Sequence, residues 1–215
     1  ASNDALRMAT GEYVALLDHD DILADNALYW VARELQKKPQ ANLIYSDEDK
    51  VNDDGMRACP HFKPAFNIDL LLSYNFISHL GVYRREILKQ IGGFRVGFEG
   101  SQDHDLALRT VLESSPDQII HIPRVLYHWR AHSESTASNP DSKDYTTESG
   151  HKAVQHFLDE QHRRGGVKAT ARIKARNRFT CQWHTSEKPP SVELIIPTRD
   201  QAEVLNLAVD SIITK

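Results

Sequence analysis

The stretch "GEYVALLDHDD", residues 11–21, decides how the rest of the chain is read. The apolar run from Tyr13 to Leu17 ends abruptly in Asp18, His19, Asp20 and Asp21. A short, nearly all-apolar strand is expected to be buried on both faces, as in a mostly parallel sheet. Three carboxylates within four residues repel one another. At the end of a buried strand they cost about several kcal/mol unless a cation neutralises them. Two readings stay open on spacing alone. In one, Asp18 and Asp20 are solvated and Asp21 or Asp25 caps the next helix. In the other the acids form a metal–diphosphate site, because ligands of open α/β sheets bind beyond the carboxyl ends of strands and hard divalent cations take carboxylate and phosphate oxygens.

Working outward, the pattern alternates strands with helices, which predicts an α/β sandwich. A helix runs from Asp25-Asn26 to about Lys38, with Leu28, Val31, Ala32 and Leu35 on its inner face and Pro39 as its stop. "ANLIYSDEDKV" reads as a second apolar strand running into acids, where Asp47 and Asp49 are expected to be solvated near its end. Leu80 to Tyr83 is strand-like, Arg84 to Ile91 helical, and "DHDLALRTVLES" another helix. A long helix is expected from about Ser142, with Gly150 its weakest point. "GVKATARIK" and "RFTCQW" alternate as a hairpin would. Leu16, Leu43, Ile44, Phe76, Leu106, Leu108, Val111, Ile120, Ile122 and Leu126 read as core.

The organisation predicted is a first domain over 1–183, a linker, "HTSEKPPS", over 184–191 and a second domain opening at 192–215. The N-terminus reads like the middle of a helix and suggests a piece of something longer. Thirty acidic against twenty-six basic residues give a net charge of −4, which is no electrostatic footprint for nucleic acid. Cys59 and Cys181 are isolated and fit no metal or disulfide pattern. Eleven histidines keep metal chemistry in view, and His121, His128 and His132 could be read as a loose zinc set. No apolar run is long enough for a transmembrane helix, and a cytoplasmic protein, peripheral at most to the inner membrane face, is expected.

"GEYVALLDHDD" resembles the D-x-D region of family-2 glycosyltransferases with a GT-A fold. "IYSDEDKVNDDG", "HFKPAFNIDLLLSYNFISHLGVYRREIL", "GGFRVGFEGSQDHDLALR" and "HIPRVLYHWRAHSESTA" resemble, in this order, blocks of bacterial members that build O-antigen and other surface polysaccharides. The resemblance covers roughly residues 1–140. "SVELIIPTRDQAEVLNLAVDSI" resembles the first strand and helix of the same fold, which implies a tandem enzyme. It implies a GT-A, Rossmann-like sheet, mostly parallel, flanked by helices and incomplete at its N-terminal side. "VELIIP", residues 192–197, would then be able to fill that raw edge in its own chain or a neighbour's.

The resemblance also implies roles. The cofactor would be Mn²⁺ or Mg²⁺, and the donor a nucleotide-diphosphate sugar. Asp20 would be the direct metal ligand and Asp18 would lie near the ribose or first phosphate, also reaching the metal. Asp103 matches the catalytic base, and Gln102 stands where the family often has Glu. His132, with His128 second, would complete the metal shell or touch the diphosphate, and Arg130 would contact phosphate. Glu99, Gly100 and Ser101 would line the acceptor side, while Asn75, Ser78 and His79 shape the donor pocket. The leading expectation is a metal-dependent, inverting glycosyltransferase acting on a glycan or lipid-linked acceptor of the cell surface. Two alternatives are a non-catalytic scaffold domain and a metal-dependent phosphoesterase using the same acids.

Overall fold

A computed structural model describes residues 1–130, 144–184 and 191–214. It divides into two units, residues 1–184 and 185–215. In the first, helix α1 (Ser2–Met8) leads to strands β1 (Tyr13–Ala15) and β2 (Ile22–Leu23), helix α2 (Ala27–Lys37), and strands β3 (Leu43–Val51) and β4 (Arg57–His61). Helix α3 (Ile68–Ser73), strand β5 (Gly81–Arg84), helices α4 (Arg85–Gln90) and α5 (Gln102–Leu112) and strand β6 (Ile119–Arg130) follow. Helix α6 (Asp144–Arg163) and the hairpin β7 (Ala169–Ala175) and β8 (Arg178–Trp183) complete the unit.

The expected α/β class holds, but the sheet is mixed rather than mostly parallel. Its order is β1-β5-β3-β6-β2, with β4 beside β3, and only β3 and β6 run parallel. The reason lies in β5. It returns antiparallel between β1 and β3 and pairs with both. This also places β1 at one end of the strand order with its residues only partly buried, rather than covered on both faces. Arg84, the last residue of β5, lies over the Tyr13 ring at 4.8 Å.

Two apolar layers flank the sheet. Ala27 and Val31 of α2 pack with Ile44, Val82, Ile122 and Leu126 on one side. On the other, Leu43, Tyr45 and Tyr83 meet α3, α4, α5, α6 and the hairpin through Leu71, Leu88, Leu106, Phe157 and Phe179. Each fully buried Leu, Ile, Val or Phe among them contributes about 1.5–3 kcal/mol of transfer free energy. Eight of the ten residues read as core are buried; Leu16 and Ile120 are only partly covered. Gly150 in α6 has a packing reason to be glycine. A Cβ there would sit 2.8 Å from Cζ of Phe179, so the hairpin can approach the helix only without a side chain.

β6 carries a bulge. Ile122 stands beside Ser46 and Tyr127 beside Glu48, so five steps of β6 match two of β3. Pro123 lies in the excess; with no N–H it cannot continue the ladder. Beyond the bulge the pairing is regular, Asp49 beside His128 and Lys50 beside Trp129.

The acids of "SDED" differ from expectation. They lie inside β3 rather than beyond it, and Asp47, Glu48 and Asp49 are all buried. Each is paired: Asp47 with His121 Nε2 at 2.8 Å, Glu48 with His61 and Lys63, and Asp49 with His128 and Arg57. These pairs offset the cost of burying the charges. They also engage His121 and His128, the two described members of the loose zinc set, with carboxylates of β3.

In the second unit, helix α7 (Ala202–Ile213) forms as expected. Residues 192–197 do not form a strand, and all six strands of the sheet come from residues 13–130. The expected completion of the sheet by 192–197 within its own chain is therefore absent. An isolated strand leaves its backbone N–H and C=O groups without ladder partners, and no second strand accompanies it in its unit among the described residues. No described helix is long and apolar enough to cross a membrane.

Candidate functional site

The turn after β1 is shaped by Tyr127. This fully buried residue of β6 accepts a hydrogen bond from the Asp18 backbone N–H at 3.2 Å, and its own hydroxyl donates to Asp21 Oδ2. The second oxygen of Asp21 accepts from the Arg130 backbone N–H at 2.8 Å. Arg130 Nε donates to the Asp20 carbonyl at 2.8 Å. Asp21 thus fastens the acidic turn to β6 instead of capping α2, whose N-cap, Asn26, makes no side-chain cap bond. A Tyr127→Phe variant is expected to lose about 1.5–3 kcal/mol of stability, the range for a hydrogen bond to a charged group, as read by urea unfolding.

His79 stacks on the Tyr127 ring, centroids 4.6 Å apart and planes inclined by 13°. Ligand atoms of Asp18, Asp21 and His79 lie within 4.8 Å of one another, the one such metal-capable group among the described residues. Two carboxylates suit either Mg²⁺ or Mn²⁺, and the added imidazole favours the transition metal, Mn²⁺. Asp21, rather than Asp20, stands beside Asp18. Asp20 lies outside this group, its carboxylate 3.7 Å from His19 Nδ1 and its side chain 40% exposed. His132 lies outside the described residues.

Asp103 belongs to the same neighbourhood although 85 positions separate it from Asp18. Asp18 is exposed as a residue, but partial desolvation of its carboxyl pushes it above the ordinary carboxylate range; His79 opposes the shift, and the charges of Asp21, Asp103 and Asp20 add to it. Asp103 sits in the first turn of α5, half-buried, and its Oδ2 accepts from Asn75 Nδ2 at 2.7 Å. The next two residues turn away, as successive helical positions must. His104 is buried, its Nε2 2.8 Å from the Leu71 carbonyl, and burial holds its imidazole below the usual range. Asp105, 1% exposed, is held by Arg95 and by Arg109 Nε at 2.9 Å. Asp105, the acid most easily confused with Asp103, is thereby committed to the interior.

The structure brings together Asp18, Asn75, His79 and Asp103 and adds Asp21 and Tyr127. It does not bring His128 into this group. Alternation along β6 turns His128 to the face opposite Tyr127 and Trp129, where its Nδ1 meets Asp49. Gln102 and Glu99 are exposed and accept from the Gly100 and Gly97 amides, at 2.8 and 3.0 Å. The Gly97 amide first, and then its own backbone amide, hold Glu99 below its ordinary range. Gly100 and Ser101 are packed against α6. A Cβ on Gly100 would fall 2.6 Å from Thr146, and Ser101 Oγ donates to the Thr146 carbonyl at 2.8 Å. Tyr127, inside the block "HIPRVLYHWRAHSESTA", carried no sequence expectation of its own. Lys63, buried below the loop that carries His79, gave no sequence signal; burial leaves its ammonium lowered to about 8.

The chain is similar to several known proteins. Residues 1–92 match the model of glycosyl transferase family 2. The chain is 43% identical over 213 residues to protein y4gI of Sinorhizobium fredii, covering 99% of this chain and 23% of that protein. It is 36% identical over 215 residues to the O-antigen biosynthesis protein RfbC of Myxococcus xanthus, covering 100% of this chain and 16% of that one. The chain thus spans less than a quarter of these relatives. Among solved structures, S. aureus TarS 1–349 in complex with UDP-GlcNAc aligns with a TM-score of 0.49 at 15% identity, over 75% of this chain and 52% of that one. Over residues 1–92, the chain is thus similar to glycosyl transferase family 2.

Proposed function

We propose that this chain takes part in metal-dependent transfer of a sugar from a nucleotide diphosphate to a hydroxyl of a growing surface glycan, with inversion at the anomeric carbon. The observation that carries this reading is the group of Asp18, Asp21 and His79, whose ligand atoms lie within 4.8 Å of one another, with the charge of Asp103 acting on Asp18. The O-antigen role printed for the Myxococcus relative supports a surface glycan as product.

In this reading Asp18, His79 and Asp21 hold Mn²⁺ or Mg²⁺, which when bound supplies positive charge for the diphosphate leaving group. Asn75 occupies one oxygen of Asp103, leaving the other to face the acceptor. As the acceptor oxygen bonds to the anomeric carbon, its proton passes to Asp103. The bond from that carbon to the phosphate oxygen breaks, and the electron pair leaves with the nucleotide diphosphate. A single displacement inverts the centre; no second carboxylate is assigned a nucleophilic role. Arg130, tied to the Asp20 carbonyl, borders the diphosphate side. Residues 192–215 are read as the opening of a second transferase domain, and the cytosol as the setting, where nucleotide sugars are available.

The test is a titration of Mn²⁺ with a panel of sugar nucleotides. Metal-dependent nucleotide binding is expected, weakened at least about tenfold in Asp18→Ala and less in Asp20→Ala. Binding by neither wild type nor variants would favour the scaffold reading. Hydrolysis of a phosphate ester without an acceptor would favour the phosphoesterase.

A further inference from the structure

Beneath the site lies a buried ion pair to which the proposed chemistry gives no role. The Lys63 side chain is 0% exposed. Its ammonium donates to Glu48 Oε2 at 3.2 Å, to the Ile77 carbonyl at 2.6 Å and to the His79 carbonyl. Three acceptors use all three N–H bonds of an ammonium group. Glu48 Oε2 in turn accepts from the His79 backbone N–H at 3.0 Å. The backbone on both sides of Ser78 is therefore gripped by one ion pair. Ser78 itself has φ +42°, a left-handed conformation that a non-glycine residue keeps only when its surroundings impose it.

The two ends of this loop carry separate parts of the site. Asn75 donates to Asp103, and its Oδ1 accepts from the Ser78 N–H at 3.2 Å. His79 stands with Asp18 and Asp21. The distance between the proton acceptor and the metal ligands thus depends on the shape of residues 75–79.

We infer that Lys63 and Glu48 are positioning residues that set the loop 75–79 so that His79 and Asn75 meet the acidic turn and Asp103 together. This rests on the metal reading above. A buried ion pair is weak evidence for stability in general, since desolvation offsets much of its attraction, and a specifying role accounts better for its presence here.

The experiment measures Mn²⁺ alone, by electron paramagnetic resonance, on the full-length protein and on Lys63→Met, Glu48→Ala and Glu48→Gln, with circular dichroism as the check on folding. Lys63→Met and Glu48→Ala are expected to weaken Mn²⁺ binding about tenfold or more, and to alter the spectrum of whatever Mn²⁺ remains bound. Glu48→Gln keeps an acceptor for the His79 N–H and is expected to recover most of the affinity. Folded Glu48→Ala with wild-type affinity and spectrum would overturn the inference. If the first two variants do not fold, amide exchange at residues 77–79 decides: faster in Glu48→Gln than in wild type supports it, equal rates overturn it. Asp18→Ala is run alongside. If wild type binds no Mn²⁺, the functional reading falls, and the same exchange comparison still decides whether the pair holds the loop.

Discussion

Asp103→Asn is expected to lower the rate of sugar transfer by about 10²–10⁴-fold, the usual contribution of a positioned general base. The substitution is nearly isosteric, and the new amide oxygen can still accept from Asn75 Nδ2, so the geometry of the α5 terminus should survive. What is lost is the ability to take a proton. The charge of Asp103 is also one cause of the upward shift of Asp18; removing it eases that carboxyl back towards its ordinary range. Metal-dependent nucleotide binding should therefore be retained or slightly improved while turnover collapses. Single-turnover kinetics beside a nucleotide titration separates the two. Turnover within about twofold of wild type would move the base to another residue, since even a weak general base is worth more.

Asp105→Asn should do the opposite. Asp105 is 1% exposed between Arg95 and Arg109, and Arg109 also donates to the Ile91 and Gly93 carbonyls. Neutralising it leaves guanidinium charge at the helix without its counter-ion. Breaking a buried pair in this way costs about 3–5 kcal/mol. Urea unfolding should show a lower midpoint with an unchanged slope. Protein that remains folded should keep its turnover. Normal stability with lost turnover would exchange the roles given to Asp103 and Asp105.

The contrast shows what could be read from the chain. Apolar periodicity placed α2, α5, the β7–β8 hairpin and most of the core, because each depends on local patterning. The direction of strand pairing depends on β5 returning between β1 and β3, which no local pattern encodes. Asp47 and Asp49 were read as solvated because acids are rarely buried; their partners His121 and His128 come from elsewhere in the sequence, as does Lys63, the partner of Glu48. At the site, Asp18, His79, Asn75 and Asp103 were named from family blocks and lie together. Asp21 was taken for a cap because its true partners, Tyr127 and the Arg130 amide, are more than a hundred residues away.

The bulge in β6 has an evolutionary corollary. In an uninterrupted ribbon, positions 122 and 127, an odd number apart, would point to opposite sides. The surplus on either side of Val125 brings both into line with Ser46 and Glu48. Gaining or losing a single amino acid between 123 and 126 would rotate Tyr127 away from Asp18 and His79 and present His128 in its stead. Homologues that vary in length should therefore concentrate their indels in the connections, and preserve parity across this short piece of strand.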